Sequence, residues 1–122
     1  MAKVFLDTNI YIDTVKRNKK SLETLRDELL FISTLSTHIL FYSYKLKVPD
    51  EDVDAVQNQF GIINFSEDIL KKALVGPTRD LEDNIQLHSA AEADCDWFLT
   101  NDNKLLAMKF FGKSRIAHNI TQ

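Results

Sequence analysis

The sequence predicts an α/β fold, a three-layer α/β/α sandwich around a central parallel sheet of four to five strands. Three observations carry this. Short apolar runs such as Val4-Phe5-Leu6, Leu30-Phe31-Ile32 and Trp97-Phe98-Leu99 have no polar break, which suits strands covered on both faces. Stretches of helical length and periodicity separate them, and that alternation builds βαβ units with helices on both faces. Finally, 122 residues with 44% hydrophobic content and only three Gly and two Pro match a single domain over 1–122. For that size, area scaling allows about two-thirds of the surface to be buried.

Each element has a local reason. Val4-Phe5-Leu6 is the first strand. After Asp7-Thr8-Asn9, the residues Ile10, Tyr11, Thr14 and Val15 recur at helical spacing. Ser21 is placed to cap a second helix with Leu22, Leu25 and Leu29 as its inner stripe. Leu30-Phe31-Ile32 is the second strand, and Ser36 caps a helix running to about Leu46. Pro49-Asp50-Glu51-Asp52 opens the next helix, its acidic first turn matching the helix dipole. Gly61 ends that helix, Ile62 to Phe65 forms the third strand, and Ser66 caps a helix that stops near Gly76-Pro77. Asp80 caps the following helix, which puts Asp83 at its third position and carries it to about Ala93. Trp97-Phe98-Leu99 is the fourth strand. Thr100 to Asn103 is a turn, Lys104 to Phe110 a short helix, and Arg115 to Ile120 a last edge strand.

Composition narrows the function. A net charge of −3 argues against a nucleic-acid binder that works through a bulk positive field, but not against an enzyme that grips phosphates through a metal ion and a few local cations. The densest basic run, Lys16-Arg17-Asn18-Lys19-Lys20, reads first as a solvated helix end. One cysteine, Cys95, makes neither an internal disulfide nor a zinc cluster. No apolar stretch is long enough to span a membrane, and the N-terminus has no signal-peptide pattern. The expected setting is reducing and cytoplasmic.

Topology brings distant acids together. Helices in a parallel α/β sheet run antiparallel to the strands, so strand C-termini and helix N-termini share one rim. Asp7 follows the first strand, Asp102 follows the fourth by a short turn, and Asp83 lies in the first turn of the helix leading into the fourth. Open α/β sheets bind ligands on this rim, where the strand order reverses. Two carboxylates about 5 Å apart repel by roughly 3 kcal/mol at an effective dielectric near 20. Three such pairs rival the stability of a whole domain, so the cluster must take up protons or a cation. Oxygen-only donors favour Mg²⁺ or Mn²⁺ over zinc. Each acid also has a bland reading: Asp7 as a helix cap, Asp83 as a charge on the helix dipole, Asp102 as an Asx-turn.

Phe5-Leu6-Asp7-Thr8-Asn9, Asp80-Leu81-Glu82-Asp83-Asn84-Ile85-Gln86 and Phe98-Leu99-Thr100-Asn101-Asp102 occur in this order and at this spacing. With these blocks the chain resembles a PIN domain, most of all the short prokaryotic ones of the VapC toxin type, over essentially its whole length. The resemblance implies a parallel sheet with the first strand central. It also implies a metal-dependent ribonuclease that hydrolyses RNA by metal-activated water and leaves a 5′-phosphate. Carried over by position, Asp7, Asp83 and Asp102 would be metal ligands, with Asn9 and Thr100 supporting them by hydrogen bonds. The toxin likeness implies a cognate antitoxin and a homodimer, and the apolar helix over 37–46 suits either contact.

One position departs from the pattern. The family usually has a fourth acid early in the helix after the second strand, and here that position aligns with Ile39. With Ser36 as the cap, residue 39 is also where a capping box would place Glu. Either three Asp sustain slower hydrolysis, or the domain is catalytically impaired and binds RNA or protein without cutting it. His38, Glu51 and Glu67 are candidates to compensate. An aspartyl-phosphate phosphohydrolase is a third reading, since Asp7 follows a first strand, but Asn9 stands where such enzymes carry a second Asp. His88, His118 and Cys95 read as structural. Phe41, Tyr42 and Tyr44 read as core or partner surface before base-stacking platform.

Overall fold

The computed structural model describes residues 1–17 and 19–120, with backbone alone for 19–21. Its strands are β1 (Lys3–Leu6), β2 (Leu29–Ser33), β3 (Phe60–Ile63), β4 (Trp97–Leu99), β5 (Phe110–Phe111) and β6 (Ser114–Ala117). Its helices are α1 (Thr8–Lys16), α2 (Thr34–Tyr44), α3 (Glu51–Gln57), α4 (Glu67–Ala73), α5 (Leu81–Glu92) and α6 (Asn103–Leu106). The strands form one sheet in the order β3-β2-β1-β4-β6-β5, parallel except for β5 against β6. The α/β/α expectation holds, with six strands in place of four or five.

Period-two alternation explains why the strands carry no polar break. Val4, Leu6, Leu30, Ile32 and Leu99 face one layer, where Tyr11, Ile12 and Val15 of α1, Leu40 of α2, and Val53 and Val56 of α3 meet them. Phe5, Phe98 and Ile116 face the other, against Leu87 and Ala90 of α5 and Leu105 of α6. Both faces are dry, so every position in a central strand must be apolar. Phe5 and Phe98 stack across β1 and β4 with centroids 5.4 Å apart.

Five expectations about elements need correction. Residues Lys19–Leu25 form 3₁₀ turns and not an α-helix, and Leu29 opens β2 because its register against Lys3 pulls it into the sheet. Ser33 caps α2 through Leu35 N at 3.1 Å, so Ser36 lies inside the helix and residue 39 is not a capping-box position. Gly61 sits within β3 and does not end a helix; a Cβ there would stand 2.6 Å from the Phe31 ring, so only glycine lets the strands approach. The helix after β4 is short, and Phe110-Phe111 turn back through Gly112 (φ +58°) as the hairpin β5–β6. That hairpin makes β6 an interior strand, not the edge. Asn18 of the basic run lies outside the described residues, as do the side chains of Lys19, Lys20 and Ser21, on which the Ser21 cap rests. Among the described residues, no helix is long and apolar enough to cross a membrane.

Candidate active site

The strand order reverses between β1 and β4, which pair in parallel with Leu6 beside Leu99. The next residue of each strand is polar and buried. Asp7 caps α1 with Oδ1 accepting Thr8 N at 2.8 Å, while Oδ2 accepts the Thr100 hydroxyl at 2.8 Å. Two donors on two strand ends hold this carboxylate in one orientation. Thr100 Oγ1 also accepts Asp102 N at 3.0 Å, and Asp102 Oδ1 caps α6 through Lys104 N at 2.8 Å. The bland readings of Asp7 and Asp102 as caps are therefore correct, and they are what aims both residues at the rim.

Asp83 differs. The cap of α5 is Asp80, whose Oδ1 accepts Asp83 N at 2.9 Å. Capping by Asp80 leaves the Asp83 carboxylate without that duty.

The acids feel one another. Partial burial raises Asp83 to about 6, reinforced by the charges of Asp80, Asp7, Asp102 and Glu82. Burial raises Asp7, opposed by the Thr100 and Thr8 hydrogen bonds and reinforced by Asp102 and Asp80. Partial desolvation, then Asp7 and Asp80, raises Glu82, which also bonds Thr8. Topology thus brings Asp7, Asp83 and Asp102 into one electrostatic neighbourhood. Asp80, expected only as the cap of this helix, and Glu82 join that neighbourhood from the start of α5. Among the described residues, no ion pair reaches Asp7, Asp83 or Asp102. Arg79, Lys104, Thr78 and Leu105 join Asp80, Asp83 and Asp102 around a cleft of about 590 Å³.

In donor type and in charge these residues suit a hard divalent cation. They do not form a finished cage: among the described residues, no three His, Cys, Asp or Glu side chains stand so that they could hold a metal ion as they are. Two of the carboxylates near the cleft, Asp80 and Asp102, each commit an oxygen to a helix cap.

Beneath the rim, a buried polar chain ties the layers together. Thr8 Oγ1 meets Ser36 Oγ at 2.9 Å, and Ser36 Oγ donates to Gln86 Oε1 at 3.3 Å. Gln86 Nε2 is buried without a hydrogen-bond partner among the described residues. Ile39 is half-buried and packs against the apolar cluster of Tyr11, Ile12 and Leu40. Neither Glu51 nor Glu67 is among the charges that raise Asp7, Asp83 or Glu82, and Glu67 pairs with Lys71 at 3.2 Å. His38 is exposed and stacks on Tyr42. His88 bonds the Gly76 carbonyl, and burial pushes the Cys95 thiol up to about 12, which makes it unsuited to nucleophilic work. Asn9 is exposed and lines a groove beside the acids with Asn101.

No protein-family model matches the chain, and no curated protein matches it in sequence. Among solved structures, a chain from the crystal structure of VapBC2 from Rickettsia felis bound to a DNA fragment from their promoter superposes with a TM-score of 0.68. The identity is 17%, over 94% of this chain and 97% of that one. At this identity the likeness shows the fold, and that fold is PIN-like.

Proposed function

We propose that this chain is a divalent-metal-dependent endoribonuclease, the toxin of a toxin–antitoxin pair. The observation that carries this reading is the set of acids at the β1/β4 switch point: Asp7 and Asp83 are raised by burial and then by neighbouring carboxylates, and neither they nor Asp102 have an ion-pair partner among the described residues. The VapBC2 likeness supports the toxin part through fold alone. Asp7, Asp83 and Asp102 would hold Mg²⁺ or Mn²⁺, with Thr100 orienting Asp7 and Asn9 bordering the site. When bound, such an ion activates water and neutralises phosphate oxygens.

The chain's own residues do the rest. Thr8 N and the Thr100 hydroxyl fix the Asp7 carboxylate. Arg79 and Lys104 line the cleft, where they can draw RNA phosphates toward the acids despite the net negative charge. A cognate antitoxin and a second copy of the chain are the proposed protein partners, and the helix α2 leaves Tyr42 80% exposed for such a contact. The proposed setting is the cytoplasm.

The test is calorimetry with Mn²⁺ and cleavage of single-stranded RNA. Binding together with cleavage, both lost in Asp7→Asn and cleavage lost with chelator, supports the reading. A second reading, a PIN-like RNA- or protein-binding module without catalysis, is favoured by the apolar packing of Ile39 and by the unfinished ligand cage. Absence of both Mn²⁺ binding and cleavage selects it.

A further inference from the structure

A second concavity is lined by residues that neighbour two of the acids in the chain. It has a volume of about 450 Å³ and is lined by Asn9, Ile12, Arg17, Ser43, Tyr44 and Asn101, with Asp13 at its wall. That volume lies within the roughly 300–1,000 Å³ typical of small-ligand sites. Its position follows from the chain: Asn9 lies just beyond Asp7, and Asn101 separates Thr100 from Asp102.

Its chemistry selects a class of occupant. Arg17 Nη1 donates to Asp13 Oδ1 at 3.1 Å, and Nη2 donates to the Tyr44 hydroxyl at 3.1 Å. Among the described lining residues Arg17 is thus matched by Asp13, while Lys16 adds a cation beside the Tyr44 ring. The Tyr44 ring is 39% exposed, and Lys16 Nζ stands 5.7 Å from its centroid. Asn9 carries a carbonyl acceptor and an amide donor, the pair of functions that matches the edge of a base, and Asn101, whose Oδ1 stands 3.2 Å from His118 Nδ1, adds an amide donor. An aromatic surface with amide groups beside it suits a flat, hydrogen-bonding group such as a base.

We propose that this groove is a nucleobase subsite, in which Tyr44 stacks on one unpaired base of the RNA and Asn9 and Asn101 read its edge. The proposal rests on the ribonuclease reading for the presence of RNA. It adds a source of sequence preference that the acids cannot supply, because metal and phosphate contacts are the same for every base.

The test is fluorescence anisotropy of labelled single-stranded oligoribonucleotides of adenine, cytosine, guanine or uracil on the full chain, in chelator so that nothing is cut. Mn²⁺ calorimetry runs in parallel. The wild type is expected to prefer one base. Tyr44→Leu and Asn101→Ala each weaken that oligomer about tenfold and level the preference, while Tyr44→Phe recovers most of the loss and Mn²⁺ affinity does not change. Equal binding by wild type, Tyr44→Leu and Asn101→Ala overturns the subsite, as does a wild type that binds no oligomer or shows no preference. Base preference without Mn²⁺ binding keeps the subsite and overturns the nuclease. Mn²⁺-dependent cleavage indifferent to Tyr44 does the reverse.

Discussion

The strands β1 and β4 run side by side, and each end of the pair carries an acid in the opposite electrostatic condition. At the N-terminal end, Asp96 accepts Lys3 N at 2.8 Å and faces Lys113 Nζ at 3.6 Å, which holds its carboxyl below the usual range. At the C-terminal end, Asp7 is buried, touches no cation among the described residues and is raised, with Asp102 and Asp80 adding to the effect. Asp83, across the cleft, is raised to about 6. An acid that meets donors and a cation is structural: its charge is answered within the fold. Asp7 and Asp83, raised by burial and by neighbouring carboxylates, carry charge that no cation among the described residues answers, the pattern that makes a rim a candidate site.

The comparison breaks most visibly at Asp7. Asp7→Asn should cut RNA cleavage by on the order of 100-fold or more and abolish the stabilisation by Mn²⁺ that thermal unfolding of the wild type is expected to show. Unchanged cleavage would remove Asp7 from the chemistry. Thr100→Val comes next, because it strips the donor from Asp7 Oδ2 and the acceptor from Asp102 N while keeping the shape. A stability loss of about 1–3 kcal/mol by urea unfolding and a tenfold fall in Mn²⁺ affinity are expected.

The third prediction concerns pH. Asp83 binds its proton more tightly folded than unfolded. Its contribution is favourable below the ordinary value of 3.8 and is lost as pH rises through about 6. For a half-exposed group, solvent screening reduces the effect to about 1 kcal/mol. Metal-free protein should therefore lose stability between pH 4 and pH 6.5, and Asp83→Asn should flatten that slope and gain about 1 kcal/mol at neutral pH. Loss of stability in Asp83→Asn would show a structural duty that the cap by Asp80 does not explain. The smallest effect is at the other end. Asp96 is lowered, so its contribution is present above the unfolded value and fades as pH falls. Asp96→Asn should cost a few tenths of a kcal/mol, less in high salt.

The apolar runs at Val4-Phe5-Leu6 and Trp97-Phe98-Leu99 were readable as central strands because burial on both faces leaves no room for a polar side chain. The caps at Ser66 and Asp80 were readable because an orphan N–H at a helix start needs a short acceptor nearby, whereas Asp50, expected inside the first turn of α3, is its cap. Where two caps were available, at Ser33 and Ser36, local sequence pointed to Ser36; the structure uses Ser33 as the cap, because Ser36 is buried inside α2 between Thr8 and Gln86. The hairpin after α6 had a signal in Phe111-Gly112-Lys113, a two-residue turn with glycine at positive φ, that a helical reading of 104–110 concealed.

By itself the sequence determined the central strands β1, β2 and β4, the helices α1 and α5, and hence the expectation that Asp7, Asp83 and Asp102 share a rim; alternation and capping are local, and handed βαβ connections leave little freedom. Only the tertiary structure decided that Asp80 and Glu82 join those acids, that Ile39 packs on the core, and that Asn9, Asn101, Arg17 and Tyr44 border one groove. Those are distances between side chains on different elements, and they depend on helix placement over the sheet, which no local pattern encodes.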